Sequence, residues 1–184
     1  MTTLAELVDI VRQSRERTDS VFPLPDVDSC IDYAITEAGE YLDAVLRDKR
    51  DTDKRNRDKD HDARNEYGQC GYMIASALIQ MRPMGSTLDV DTLAGEFYAI
   101  FSLLAGFRND AISDTSIIYA LGEWSAFAMQ RGENPAELLR ETCAAFEAKH
   151  LPVVRGYDFE PVDKLFRYPV MSAEEAAKQG EQAE

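Results

Sequence analysis

Cysteine, histidine and tryptophan are scarce in this chain, with three, two and one among 184 residues. Cys30, Cys70 and Cys143 are odd in number and far apart, and no Cys-x-x-Cys pair exists. A disulfide framework is therefore not expected, and two isolated histidines, His61 and His150, do not supply a zinc site. Scattered, reduced core thiols fit a cytoplasmic address. Basic residues are also few: 20 Lys and Arg against 34 Asp and Glu leave a net charge of −14. Nucleic acid and anionic membranes need a basic surface, so neither is an expected partner. Long apolar runs are missing as well. Ile74–Leu78 and Tyr98–Leu104 fall far short of the roughly 20 residues a membrane-spanning helix requires. The first residues carry no basic stretch followed by an apolar one, so no secretory signal is expected.

What is present reads as helix. Thr3-x-x-Glu6 is a capping box that opens a first helix running to about Arg17. Pro23 and Pro25 interrupt the chain. From about Asp26 to Asp48, the apolar residues Val27, Ile31, Ala34, Ile35, Ala38, Leu42 and Val45 recur at three and four. Residues 48–62 hold six Lys/Arg, six Asp and one His, with nothing to bury, and read as a loop or a frayed helix end. A third helix is predicted over Asp62–Gln80, a fourth over Asp91–Phe107 and a fifth over Asp114–Gln130. Asn134-Pro135-Ala136-Glu137 places a cap, a proline and an acid in the order that starts a sixth, ending near Lys149. No segment alternates with period two, so no sheet is expected. The predicted architecture is an all-α bundle of about six helices over residues 1–155, with residues 156–184 an irregular extension ending in a polar, disordered tail.

The residues that can carry chemistry are carboxylates. At 100° per residue, Glu37 and Glu40 lie 60° apart on one flank of the second helix. Asp62, Glu66 and Gln69 share a flank of the third at spacings of four and three. If these helices pack antiparallel, the two flanks face one another and several side-chain oxygens converge. Converging carboxylates repel unless a cation lies between them, and hard oxygen ligands suit Mg²⁺ or Mn²⁺. The plainer reading is that acids on helix flanks are solvated, as most acidic residues are.

Thr36-Glu37-Ala38-Gly39-Glu40-Tyr41-Leu42-Asp43-Ala44 resembles the E-x-x-E helix of the MazG-type all-α nucleoside triphosphate pyrophosphohydrolases. Asn65-Glu66-Tyr67-Gly68-Gln69-Cys70-Gly71 resembles their following E-x-x-D helix. The resemblance covers about residues 27–80 and implies a MazG-like helical core with extra C-terminal helices. It further implies hydrolysis of a (deoxy)nucleoside triphosphate to the monophosphate and pyrophosphate, Mg²⁺ dependence, and assembly as a homodimer or homotetramer. By motif position Glu40 and Glu66 are implied metal ligands, and Glu37 a ligand or the base that activates water. Gln69 stands where the family has aspartate, and Thr36 where many members have another glutamate. Asp62, one turn before Glu66, is a further candidate ligand.

For a triphosphate, Lys54 and Arg57 in the charged loop and Arg64 at the start of the third helix are candidate phosphate contacts, although a mixed charge run is also what a solvated loop looks like. Lys149 and Arg155, after the last helix, are looser candidates. Tyr33 and Tyr67 lie near the proposed site and can stack on a base, although core or interface packing is the expected role of Tyr67 and is open to Tyr33 as well. Trp124, Phe97 and Phe101 read as core at their helical spacing. Two other function classes use the same stripes. One is a catalytically silent protein that binds a nucleotide or a protein partner, and the other is a structural oligomerisation module.

Overall fold

The computed structural model describes residues 3–50, 62–81, 93–109, 115–151, 153–155 and 158–160, with backbone alone for 48–50 and for the last two segments. Its helices are α1 (Leu4–Thr18), α2 (Val27–Arg50), α3 (Ala63–Met81), α4 (Phe97–Arg108), α5 (Thr115–Gln130) and α6 (Pro135–His150). Among the described residues, no helix is long and apolar enough to cross a membrane.

Local chemistry sets several helix ends. The Thr3 hydroxyl accepts from the Glu6 amide at 3.2 Å and opens α1. The Asn134 side chain accepts from the Ala136 and Glu137 amides at 3.0 and 3.4 Å, and Pro135 follows as first helical residue. One end differs from the sequence reading. α4 begins at Phe97 rather than near Asp91, because Gly95 takes φ +65° and Glu96 is extended. The free amide of Glu96 is satisfied by the Glu123 carboxylate of α5 at 3.0 Å, an acceptor no local pattern reveals. A second difference follows α6, where Val153–Arg155 (β1) and Asp158–Glu160 (β2) form an antiparallel pair. Three residues per strand are too few to display an alternation, so the sequence carried no sign of it.

The centre of the fold is α3, which packs against α1, α2, α5 and α6. It runs antiparallel to α2: Tyr41 meets Tyr67 at 5.1 Å, and Gln80 at the far end donates to the carbonyls of Leu24 and Pro25 at 3.3 and 3.0 Å. Small residues let so many neighbours approach. A Cβ on Gly68 would collide with the Thr142 hydroxyl of α6, and one on Gly71 with the indole of Trp124. Trp124 is fully buried, as are Ile31, Ile74, Leu121 and Leu139 elsewhere in the same core. α1 and α6 run side by side, with Arg140 paired to Glu6 at 2.9 Å and Arg17 to Glu147 at 2.6 Å. The three cysteines are buried and free.

Candidate metal centre

The antiparallel pairing of α2 and α3 carries Glu37 and Glu40 to the side of α3 that bears Glu66. One oxygen from each lies within 4.8 Å of the other two. Glu66 is 1% exposed, Glu37 is half-buried, and one Glu37 oxygen, Oε2, is buried with no hydrogen-bond partner. Behind them lie Ala38 and Cys70, both fully buried, so apolar packing backs the cluster.

Three carboxylates in so small a space cannot all stay ionised without a compensating charge. The Glu37 carboxyl is pushed up to about 8, first by burial, then by the adjacent Glu66 carboxyl and by Glu40, while the Lys149 ammonium acts in the opposite direction. At neutral pH the metal-free site therefore keeps a proton on Glu37. A divalent cation is the alternative occupant, since Mg²⁺ and Mn²⁺ take carboxylate oxygens at about 2.1 Å and place neighbouring ligands about 3–4 Å apart. The orphaned Glu37 oxygen and the three-oxygen span would suit such an ion, with Glu37, Glu40 and Glu66 the residues that would hold it.

Gln69 lies beside this group, with its amide Nε2 donating to Glu66 Oε2 at 3.4 Å. A rotation of the amide by half a turn would offer its carbonyl oxygen instead. Asp62 is exposed just before α3, where its backbone carbonyl accepts from the Glu66 amide at 3.1 Å, and its carboxylate is not one of the three that converge.

The candidate phosphate and base contacts fall in different places. Lys149, on the last turn of α6, is the cation that acts on Glu37. Arg64 is committed to Glu133 at 3.0 Å and to Glu141, which ties α3 to the start of α6. Tyr33 is 53% exposed one turn before Glu37, with its ring open to a stacking partner. Lys54 and Arg57 lie outside the described residues, as does the side chain of Arg155, whose backbone is in β1.

Several aromatic assignments match the packing. Tyr67 is 2% exposed, Trp124 fully buried and Phe97 6% exposed, and Phe101 is partly buried against them. Ala38-Gly39-Glu40-Tyr41 and Ala94-Gly95-Glu96-Phe97 share a residue order but not a conformation, because Gly39 lies within α2 whereas Gly95 takes a positive φ ahead of α4.

Arg15 escaped the sequence reading. It is 4% exposed, gives two hydrogen bonds to Ser76 Oγ at 3.1 and 3.0 Å, and lies 4.5 Å from the Tyr72 ring centroid and 5.3 Å from that of Phe146. Aromatic faces stabilise a guanidinium that burial otherwise disfavours. Its position within the buried stripe Leu4, Leu7, Val8, Val11 was the available signal.

No family model, no curated protein and no solved structure matches this chain.

Proposed function

We propose that the chain is a metal-dependent nucleoside triphosphate pyrophosphohydrolase that splits a (deoxy)nucleoside triphosphate into the monophosphate and pyrophosphate. The observation that carries the reading is the convergence of Glu37, Glu40 and Glu66 from two helices around a buried, unpartnered carboxylate oxygen. The resemblance of the two helical segments to the MazG-type motifs gives that cluster a reaction.

Glu40 and Glu66 are the residues to hold Mg²⁺, or Mn²⁺, with Glu37 a third ligand or the proton acceptor. A cation bound there supplies charge neutralisation for the phosphates and acidifies a water. A water oxygen forms the new bond to the α-phosphorus, the bond from that phosphorus to the bridging oxygen breaks, and pyrophosphate leaves with the bonding pair. Glu37, once ionised, accepts the proton released by the attacking water. Lys149 offsets negative charge beside Glu37, and Tyr33 offers a flat apolar face to the base. Apolar residues left open on α2 and α4, with Leu46 46% and Tyr98 72% exposed, favour assembly as a homodimer or homotetramer. Buried free thiols agree with a cytoplasmic setting.

Gln69 favours a second reading, a silent relative that binds nucleotide without turnover, because its neutral amide removes one negative charge from the expected ligand set. One experiment separates the two. Purified protein is incubated with each common NTP and dNTP and Mg²⁺, and monophosphate and pyrophosphate are measured alongside metal-dependent nucleotide binding. Pyrophosphate release that stops with a chelator and with Glu66→Gln supports the hydrolase. Nucleotide binding without product supports the silent relative, and neither binding nor product removes both.

A further inference from the structure

Glu66 reaches the acidic cluster from α3, whereas Glu37 and Glu40 come from α2. The cluster therefore exists only while α3 holds its axial and rotational register. The core to which α2 and α3 both contribute contains Ala34, Ala38, Cys70, Ile74 and the Tyr41–Tyr67 ring pair, which attract without direction. A slip of α3 by one residue moves a side chain about 1.5 Å along the axis and 100° around it, enough to take Glu66 out of the group.

Arg15, Gln80 and Arg64 make directional contacts elsewhere on α3, and the buried one next to Glu66 comes from α5. Tyr67, the residue next to Glu66, donates through its hydroxyl to the Trp124 carbonyl at 2.6 Å. Trp124 returns a hydrogen bond from Nε1 to the Tyr67 carbonyl at 2.8 Å. The two rings stack at 5.4 Å with planes 16° apart. One turn along α3, Gly71 leaves the space that the indole occupies. Both partners are buried, Tyr67 at 2% and Trp124 at 0% exposure, so water does not compete for either bond. Of the four aromatics against Tyr67, only the indole has an N–H to give: Phe97 and Phe127 offer no donor, and the Tyr41 hydroxyl accepts from Arg131.

We infer that Trp124 is a positioning residue for the metal centre, fixing α3 at Tyr67 so that the Glu66 carboxylate stays against Glu37 and Glu40. The inference rests on the metal-dependent reading of that cluster. Trp124 acts on α3 through Tyr67: its indole donates to the Tyr67 carbonyl, and its own carbonyl accepts from the Tyr67 hydroxyl. Ligands must be held to about 0.5 Å for full affinity, and outlying hydrogen bonds that orient them are worth about tenfold to a hundredfold in metal binding.

The test measures Mn²⁺ binding by calorimetry on the full chain without nucleotide, at a temperature well below unfolding. Trp124→Phe keeps a buried ring and loses the Nε1 donor; Tyr67→Phe loses the hydroxyl alone. Ile100→Val, on α4, serves as a variant that lowers stability without touching the tie. Trp124→Phe is expected to weaken Mn²⁺ binding about tenfold or more, and Tyr67→Phe to weaken it in the same direction. Both should narrow the preference for Mn²⁺ over Ca²⁺, because a loosened site accommodates the larger ion. Ile100→Val should leave affinity and preference unchanged. Wild-type affinity and preference in both ring variants, or losses that follow thermal stability across all three, would overturn the inference alone. A wild-type protein that binds no Mn²⁺ would overturn the metal-site reading and this inference with it. If Trp124→Phe does not fold, Tyr67→Phe decides the matter.

Discussion

Replacing Glu37 by glutamine should stabilise the metal-free protein, and by an amount that depends on pH. The folded chain holds the Glu37 carboxyl at about 8, whereas an unperturbed carboxyl titrates at 4.5. Below pH 4.5 the group is neutral in both states, and the wild type and the amide variant should be equally stable. Between the two values the unfolded chain releases a proton that the folded chain keeps, so wild-type stability falls as pH rises. At pH 7 the full difference is about 3 kcal/mol, taking ~1.4 kcal/mol per pH unit. Solvent reaching the half-buried carboxyl reduces this to about 1–2 kcal/mol. Above pH 8 both states are ionised and the advantage of the amide should level off. Glutamine keeps the shape and can still donate to Glu66, so packing does not offset the gain. The assay is urea unfolding followed by Trp124 emission, which reports a single buried indole, repeated from pH 4.5 to 8.5. Adding Mn²⁺ should raise the stability of the wild type more than that of Glu37→Gln, since the ion satisfies the repulsion the variant lacks. A variant that is destabilised, or that gains equally at every pH, would refute the description of Glu37 as a carboxyl held against its neighbours.

Gly71→Ala should cost about 1–3 kcal/mol, because the new methyl meets the Trp124 ring and neither helix backbone can yield freely; chemical denaturation measures it, and an unchanged midpoint would contradict the packing. Gln69→Asp should tighten Mn²⁺ binding in calorimetry without nucleotide by restoring a negative charge beside Glu66. If it does not, while Asp62→Asn abolishes binding, Asp62 is the fourth ligand and the α3 motif is misassigned. Lys149→Met should shift the pH dependence of Mn²⁺ binding upward, because the ammonium that favours ionised Glu37 is gone; an unmoved midpoint would detach Lys149 from the site.

The helices were legible because their determinants are local. Thr3 and Asn134 announce their own caps, and within the predicted stripe Ile31, Ala34 and Ala38 are the buried face of α2. Val27, Ile35, Leu42 and Val45 are partly buried beside it, and Tyr41 is an addition the spacing did not name. The start of α4 was not, since Gly95 and Glu96 leave helical geometry under the influence of a carboxylate 27 residues away. The acidic group was legible for a mixed reason. Glu37 and Glu40 share a flank by helical arithmetic, and a hairpin partner supplies the third acid without any knowledge of long-range packing. What holds that third acid in place was hidden, because the Tyr67–Trp124 tie ends on backbone carbonyls that every residue possesses. Arg64 shows the converse. Its position invites a phosphate, yet Glu133 and Glu141, far along the chain, already engage it.

As proposed, the three-carboxylate cluster splits a nucleoside triphosphate with the help of a divalent ion. A single incubation of the full chain with the common NTPs and dNTPs plus Mg²⁺, read by separating products, tests it most directly. The expected result is a monophosphate and pyrophosphate in equal amounts from at least one substrate, absent with chelator and in Glu40→Gln and Glu66→Gln whose helical spectra are intact. Diphosphate and orthophosphate as products, full turnover in either variant, or no turnover of any nucleotide would contradict it.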